Sequence, residues 1–449
     1  MNFESFKKLV SENAEKLGVF VYELYYSHSS SQSYNAFSGE IDTVDSSSGE
    51  GVCFRCLVNG KIGYSSTELF SESEAHRLVK DAKESAEIIE SDDEEFIFKG
   101  AEVYEKPLKI ETEFLSATEH INTALSIEQI CKNKDSRIHS VPYSMVTEGV
   151  GTTRIVNSYG LDLIDEGHMY GVLAQTTALQ DEDVKSGFAV GFGRKVSDVS
   201  IETVCEEAVK SSVDTLGAKS VPSGKYKVVF SNLTMADMLS TFSGVFSASA
   251  AQKGMSLLKD KEGEKIASDI VTIIDDPRCE KSCVYSTFDA EGVPTFKKNV
   301  VENGTLLTFL HNLKTANKQG VQSTGNAYKS SYKSKVTVAP LAFYLKEGED
   351  SLAEVIKKVE NGLYITELSG LHAGADDISG DFSLAAAGFL IKDGKLDRPV
   401  NEITVAGNFF GMLKEINNIG CDLRFSMPHG GAQFGSPCVA VEKLTIAGE

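Results

Sequence analysis

Histidine and cysteine are the residue types from which a metal or thiol centre would be built, and this chain has eight of each. Catalytic zinc needs three His, Cys or carboxylate ligands, and hydrolysis needs a base, commonly a Glu beside the first histidine of a helix-borne pair. The histidines are His28, His76, His120, His139, His168, His311, His372 and His429, and the closest two lie nineteen positions apart. No single helix supplies two of them, so a zinc site would have to be assembled across the fold. Cys53 and Cys56 form a CxxC. However, Val52, Phe54, Cys56 and Val58 alternate with Cys53, Arg55 and Leu57 as in a strand, which sends the two thiols to opposite faces. Cys279 and Cys283 have no second cysteine or histidine pair nearby to complete a tetrahedron. Ser243-Gly244 lacks the Gly-x-Ser-x-Gly frame of a hydrolase nucleophile, and Gly149-Val-Gly151 and Gly191-Phe-Gly193 lack the third glycine of a nucleotide loop.

The elements that would position such residues read as α+β. Phe3, Phe6, Val10, Ala14 and Leu17 recur at helical spacing and stop at Gly18. A strand is expected over Val19 to Tyr26, and Asn59-Gly60 reads as a type I′ hairpin turn. Ser71 and Glu74 form a capping box before a second helix with Leu78, Ala82, Ala86 and Ile89 on one face. Asp92 to Glu95 reads as a solvated loop. A third helix is expected over Glu113 to Lys132, with Phe114, Thr118, Ile121 and Leu125 inward. Strands return from about Ser144 to Gly193, and Ile201, Val204, Cys205, Ala208 and Ser212 outline a helix that makes Cys205 a core residue. The short serine runs Ser29 to Ser31 and Ser46 to Ser48 are the only low-complexity tracts.

Gly217 to Gly224 is small, polar and broken by proline, and it divides the chain into domains 1–219 and 220–449. The second begins with a strand at Tyr226 to Phe230, followed by a helical stretch toward Ala250 capped by Asn232. Asn303-Gly304 and Asp393-Gly394 signal further hairpins, and helices are expected over Leu352 to Val359 and Phe409 to Ile416. The expectation is thus N-terminal helices packed on a mostly antiparallel sheet, followed by a C-terminal domain dominated by antiparallel sheet.

With 449 residues, 41% of them hydrophobic, the chain can bury a large core. Its formal net charge of -21 repels phosphate backbones, which argues against nucleic acid as a partner. The opening Met1-Asn2-Phe3-Glu4 has no export signal and no apolar run suits a bilayer, so a cytoplasmic chain with no membrane partner is expected.

Four segments in register carry a specific resemblance: Ser369-Gly-Leu-His-Ala-Gly374, Ser379-Gly-Asp-Phe-Ser-Leu384, Gly388-Phe-Leu-Ile-Lys-Asp-Gly394 and Ile403-Thr-Val-Ala-Gly-Asn408. Asp289-Ala-Glu-Gly-Val-Pro-Thr295, Val301-Glu-Asn-Gly-Thr305 and Ser323-Thr-Gly-Asn326 precede them in the same order. Together they resemble the signature blocks of the TldD/PmbA ("modulator of DNA gyrase") family, over the whole chain and most firmly from about Lys225 onward. The zinc-binding member of that family carries His-Glu-x-x-x-His shortly before a Lys-Gly-x-Ser segment, with a cysteine from near the C-terminus as third ligand. The anchor is present as Gln252-Lys-Gly-Met-Ser256, and counting back from it sets Leu239, Ser240 and Gly244 where the motif would fall. Cys421 lies in the C-terminal region without matching the register of the family cysteine.

The resemblance therefore implies the PmbA/TldE-like branch, in which this chain binds no cofactor and zinc resides in a TldD-like partner subunit acting on unfolded or small peptides. It also implies a homodimer or a complex with that zinc subunit. Two alternatives stay open: a peptide-binding homodimer without a protease partner, and a metallopeptidase with ligands such as His372, His429 and Cys421. His372, in a glycine-bearing loop, and His429, within Pro428-His-Gly-Gly-Ala-Gln-Phe-Gly435, are the candidate peptide-groove residues.

Overall fold

A computed structural model describes residues 1–90, 93–108 and 115–449, and its class is the expected α+β. The first half holds one antiparallel sheet of β1 (Tyr22–Phe37), β2 (Glu40–Val58), β3 (Lys61–Thr67), β4 (Ile138–Asn157), β5 (Asp162–Gln180) and β6 (Asp183–Gly193), in the order β3-β2-β1-β4-β5-β6. Asn59 (φ 52°) and Gly60 (φ 77°) make the predicted hairpin turn between β2 and β3. The serine runs are not loops: they face each other across β1 and β2, Ser30 opposite Ser48 and Ser31 opposite Ser47. Ladder hydrogen bonds and the neighbouring β4 hold them extended where side-chain pattern gave no strand signal.

Alternation along these strands gives the sheet two different faces. On one face, Leu24, Val52, Phe54 and Cys56 pack under α1 (Phe3–Lys16) and α2 (Glu72–Glu87). Farther along the same face, Tyr34, Ala36, Val146 and Val172 pack under α3 (Ala117–Lys134) and α4 (Ile201–Val213). The other face presents Tyr25, Cys53 and Ile155 to Phe288, Ala290 and Ala327 of the second half. Cys53 and Cys56 therefore lie in separate cores, as the strand reading requires.

Three local expectations are corrected. Ser71 does cap α2 by accepting from Glu74 N (3.3 Å), but the Glu74 carboxylate turns to Thr67 Oγ1 (2.7 Å) and Arg77, so the reciprocal half of the box is missing. The third helix buries His120, Ala124, Ile127, Glu128 and Cys131; Ile121 and Leu125 flank that stripe and Thr118 is exposed, while Glu113 and Phe114 lie outside the described residues. The stripe was missed because it contains charged residues whose partners lie on other elements: Glu128 accepts from Gly39 N (2.9 Å), and His120 Nε2 stands 2.9 Å from Glu148. The acidic loop is not merely solvated. Asp92 lies outside the described residues, but Asp93 and Glu95 engage Lys314 at 3.2 and 3.0 Å.

In the second half, β7 (Gly224–Phe230), β14 (Gly362–Ser369), β15 (Asp381–Lys392), β16 (Lys395–Asn408), β17 (Ile416–Ile419) and β20 (Val439–Ala447) run in the order β16-β15-β14-β7-β20-β17. β16 also pairs with β20, which closes five of the six strands into a ring. A second sheet has the order β10-β9-β8-β13-β19-β18, from β8 (Ile273–Asp275), β9 (Lys298–Glu302), β10 (Thr305–Leu306), β13 (Ala342–Leu345), β18 (Arg424–Phe425) and β19 (Gln433–Ser436). β11 (Ala327–Tyr328) and β12 (Thr337–Val338) form a small hairpin. Pairing is antiparallel except for β7 with β14 and β13 with β19. The helices are α5 (Asn232–Phe242), α6 (Ala248–Gln252), α7 (Leu313–Gln319), α8 (Leu352–Val359), α9 (Leu371–Gly374) and α10 (Phe409–Glu415). Among the described residues no helix is long and apolar enough to cross a membrane.

Candidate functional site

The site is built around α5. Ser231, not the expected Asn232, is its N-cap: Ser231 Oγ accepts from Thr234 N at 3.2 Å. Met235, Ala236, Met238, Leu239 and Phe242 point into the core, where Phe242 stacks on Phe409 with centroids 4.5 Å apart. Leu239 is 1% exposed and belongs to this core. Ser240 is half-buried, and its carbonyl accepts from Ser243 Oγ at 2.8 Å. Gly244 is exposed, and a Cβ there would meet no atom within 4 Å. The three positions set by the motif thus offer an apolar side chain, a hydroxyl and no side chain, a set that does not fit zinc.

Asn232, at the start of α5, ties the helix to the C-terminal region by donating to Asp422 O (3.1 Å) and Asp422 Oδ2 (3.3 Å). The exposed Cys421 therefore sits by the N-terminal end of α5. Leu239 lies about 10 Å farther along the helix at 1.5 Å per residue. Among the described residues no three His, Cys, Asp or Glu side chains converge as a metal site, so His372, His429 and Cys421 do not assemble one.

One carboxylate in this region belongs to none of the motif positions. Asp237 is the only charged residue between Lys227 and Lys253. It is half-buried on α5, has no side-chain hydrogen bond or ion pair among the described residues, and burial alone pushes its carboxyl up to about 6. A lone acid among Met235, Ala236, Met238 and Leu239 was the available sequence signal.

Of the signature segments, the one carrying α9 packs against α5, which also packs against β14, β18 and β19. Asn408, at the end of one segment, ties it to a second segment and to α10. Its amide donates to Ser379 O (2.9 Å) and Asp381 Oδ1 (2.8 Å), and its Oδ1 caps α10 by accepting from Gly411 N (3.1 Å). Asp376 Oδ1 accepts from Ile378 N and Ser379 N, which closes the loop after α9. His372 is exposed on α9. His429 is exposed at a two-residue turn in which it exchanges backbone hydrogen bonds with Ala432 (2.8 and 3.0 Å) across Gly430 (φ 56°) and Gly431 (φ 77°). Buried Gln433 anchors that turn by accepting from Ser282 Oγ and Cys283 N and donating to Ser426 O, each at 2.8 Å.

Other histidines serve packing. His120 and His168 flank Glu148, with His168 Nε2 2.8 Å from Oε1 and His120 Nε2 2.9 Å from Oε2. His168 Nδ1 faces the Arg194 carbonyl at 2.7 Å, and His120 stacks on Tyr34. The Asp289 to Thr295 block is a joint between the halves. Glu291 accepts from Arg55 (3.1 Å) and from Leu313 N (2.8 Å), while Asp289 accepts from Ala327 N (2.9 Å).

The class is that of a metallopeptidase-like family, shown by matches to family models along the chain. Models of the PmbA/TldA metallopeptidase family match residues 22–86 (domain 1), 111–216 (central domain) and 223–448 (C-terminal domain), and the chain belongs to this PmbA/TldD family. The metalloprotease PmbA of Escherichia coli O157:H7 is 27% identical over 75% of this chain and 71% of its own length. A metalloprotease of Methanothermobacter thermautotrophicus is 30% identical over 70% and 74%. A Thermotoga maritima protein named for modulation of a DNA gyrase superposes with a TM-score of 0.91 at 32% identity, covering 99% of this chain and 100% of that one. TldE from Thermococcus kodakarensis has the same fold, with a TM-score of 0.89 at 21% identity over 98% and 99%.

Proposed function

We propose that this chain is the non-zinc subunit of a TldD/TldE-type proteolytic system, cytoplasmic, that helps enclose unfolded or small peptides for cleavage by a zinc-bearing partner. The observation that carries this reading is the side-chain set on α5 and the turn after it: Leu239 is sealed in the core, Ser240 is neither a carboxylate base nor a usual zinc ligand, and Gly244 has no side chain. In this reading His372 and His429 line the peptide groove beside α5, where an extended peptide pairs with neighbouring strand edges. Among the described residues, β2 pairs with β1 alone along Glu40 to Gly51, because β3 ends at Thr67 opposite Val52. That edge is open to a strand from a partner subunit or a second copy.

Mixing the purified chain with a TldD-like zinc subunit tests the proposal. The expected result is a stable complex that cleaves an unfolded peptide, with cleavage lost when the partner's zinc ligands are replaced. A complex that keeps cleaving after that replacement, or a failure to form any complex, overturns it; the second outcome favours the homodimer without a protease partner.

A further inference from the structure

The first sheet carries a second candidate site, remote in sequence from α5. On the face turned away from α3 and α4, Thr43, Asn35 and Met145 lie abreast across β2, β1 and β4, with Asp45 and Ser33 in the next row. A surface pocket of about 510 Å³ opens over them, and all of its lining comes from these three strands. Two carboxylates reach it. A bulge sets Asn35 opposite Thr43 and Ala36 opposite Ile41, so Asp42 has no opposite residue on β1 and lines the pocket beside Asp45. Both acids are exposed, and neither has an ion pair among the described residues. Phe37 and Tyr143, 43% and 48% exposed, add apolar wall. Asn35 lines the pocket and is only 6% exposed. Its Oδ1 accepts from Ser144 N at 3.0 Å, and its amide nitrogen has no hydrogen-bond partner among the described residues.

We infer that this pocket captures the free α-amino end of an unfolded peptide. The donors and acceptors match such an end. Asp42 and Asp45 accept from the α-ammonium in charge-assisted hydrogen bonds, and the unpaired Asn35 amide donates to the carbonyl of the first residue. A lysine ammonium offers the carboxylates the same charge but has no carbonyl beside it, so the orphan donor of Asn35 selects the chain end. Phe37, Tyr143 and Met145 receive an apolar first side chain. The residues that follow leave along the free edge of β2, whose backbone groups pair with an added strand. That edge bears Glu40, Asp42, Asp45 and Glu50, with no Lys, Arg or His over 40–51. A second copy would set like charges against one another there, whereas a peptide enters with its cationic end. Such capture presupposes the reading that this chain holds unfolded peptides, and adds the group by which they are held.

The test uses the full wild-type chain without any partner, and a C-terminally fluorescein-labelled peptide, Phe-Val-Thr-Val-Thr, beside its N-acetylated twin. Fluorescence anisotropy reads both affinities. The free amine should bind on the order of tenfold tighter than the acetylated peptide. This preference should fade as pH rises above about 8, where the α-ammonium loses its proton. Amide exchange over 43–48 should slow when the peptide is bound. Asp42→Asn combined with Asp45→Asn should bring the two affinities together. Asp181→Asn with Glu182→Gln, the same charge change in the exposed β5–β6 turn, should leave the preference intact. Equal affinities for the twins, no binding, unslowed exchange over 43–48, or an equal loss in the control variant each overturns the inference. Because no zinc subunit takes part, such a failure is distinct from a failure to form a cleaving complex.

Discussion

The Arg55 guanidinium reaches Glu291 at 3.1 Å and Glu23 at 3.0 Å in a region where all three side chains are buried. Arg55 and Glu23 belong to the first sheet and Glu291 to the second half, so one cation holds two carboxylates across the joint. The posture of the first sheet relative to α5 rests on such contacts, together with Asp165, which accepts from Thr287 N (2.6 Å) and Thr287 Oγ1 (2.8 Å).

Arg55→Met keeps most of the buried volume and leaves two carboxylates unpaired. Because an uncompensated buried charge is the costly outcome, the variant should lose about 3–5 kcal/mol of stability. Urea denaturation measures this, and a loss below about 1 kcal/mol would remove the joint from the account.

Asp237 makes stability fall as pH rises. Its folded pKa of about 6 lies above the ordinary aspartate value of 3.8, so the folded chain holds the proton more tightly than the unfolded one. The contribution is fully present below the unfolded value and is lost as pH rises through about 6. Asp237→Asn should therefore be more stable than the parent at pH 7.5 by about 1–2 kcal/mol and gain nothing at pH 3.5. Equal gains at both pH values would assign the effect to something other than ionisation.

Asn408→Ala removes the two donors and one acceptor that join Ser379, Asp381 and Gly411. The cost should be about 1–3 kcal/mol, concentrated locally. Hydrogen exchange should quicken over 376–383 and 409–412 and stay unchanged in the first sheet. Uniform quickening throughout the chain would mean that Asn408 holds the whole fold rather than the loop.

Positions 239 and 244 should respond oppositely to the same residue. Gly244→His enters open space at a φ outside the left-handed region and should change stability by no more than about 0.5 kcal/mol. Leu239→His places an imidazole among Met235, Met238 and Phe242 and should cost about 2–5 kcal/mol. Thermal midpoints of the two variants decide this.

Local chemistry made much of the fold legible. Asn59-Gly60, Asn303-Gly304 and Asp393-Gly394 all turn with both residues at positive φ, because those pairs reach that region at little cost. Helical periodicity placed α4 and α8 and the body of α10. It failed where charge enters the core: the His120 and Glu128 face of α3 reads as polar until Glu148 and Gly39 are brought beside it by the fold. It failed again along the serine-rich β1 and β2, whose extension is imposed by pairing. At the candidate site, the chemistry of Leu239, Ser240 and Gly244 was readable from residue type. The core location of Leu239, the cap at Ser231 and the three-way role of Asn408 depend on contacts between distant segments.

Zinc content per chain tests the central claim most directly. Protein purified without a histidine tag, offered zinc and then desalted, would be measured by elemental analysis. The account predicts a value near zero, because α5 offers no ligand set. About one tightly held zinc per chain, the stoichiometry of a mononuclear catalytic site, would contradict it and make the chain a candidate peptidase in its own right.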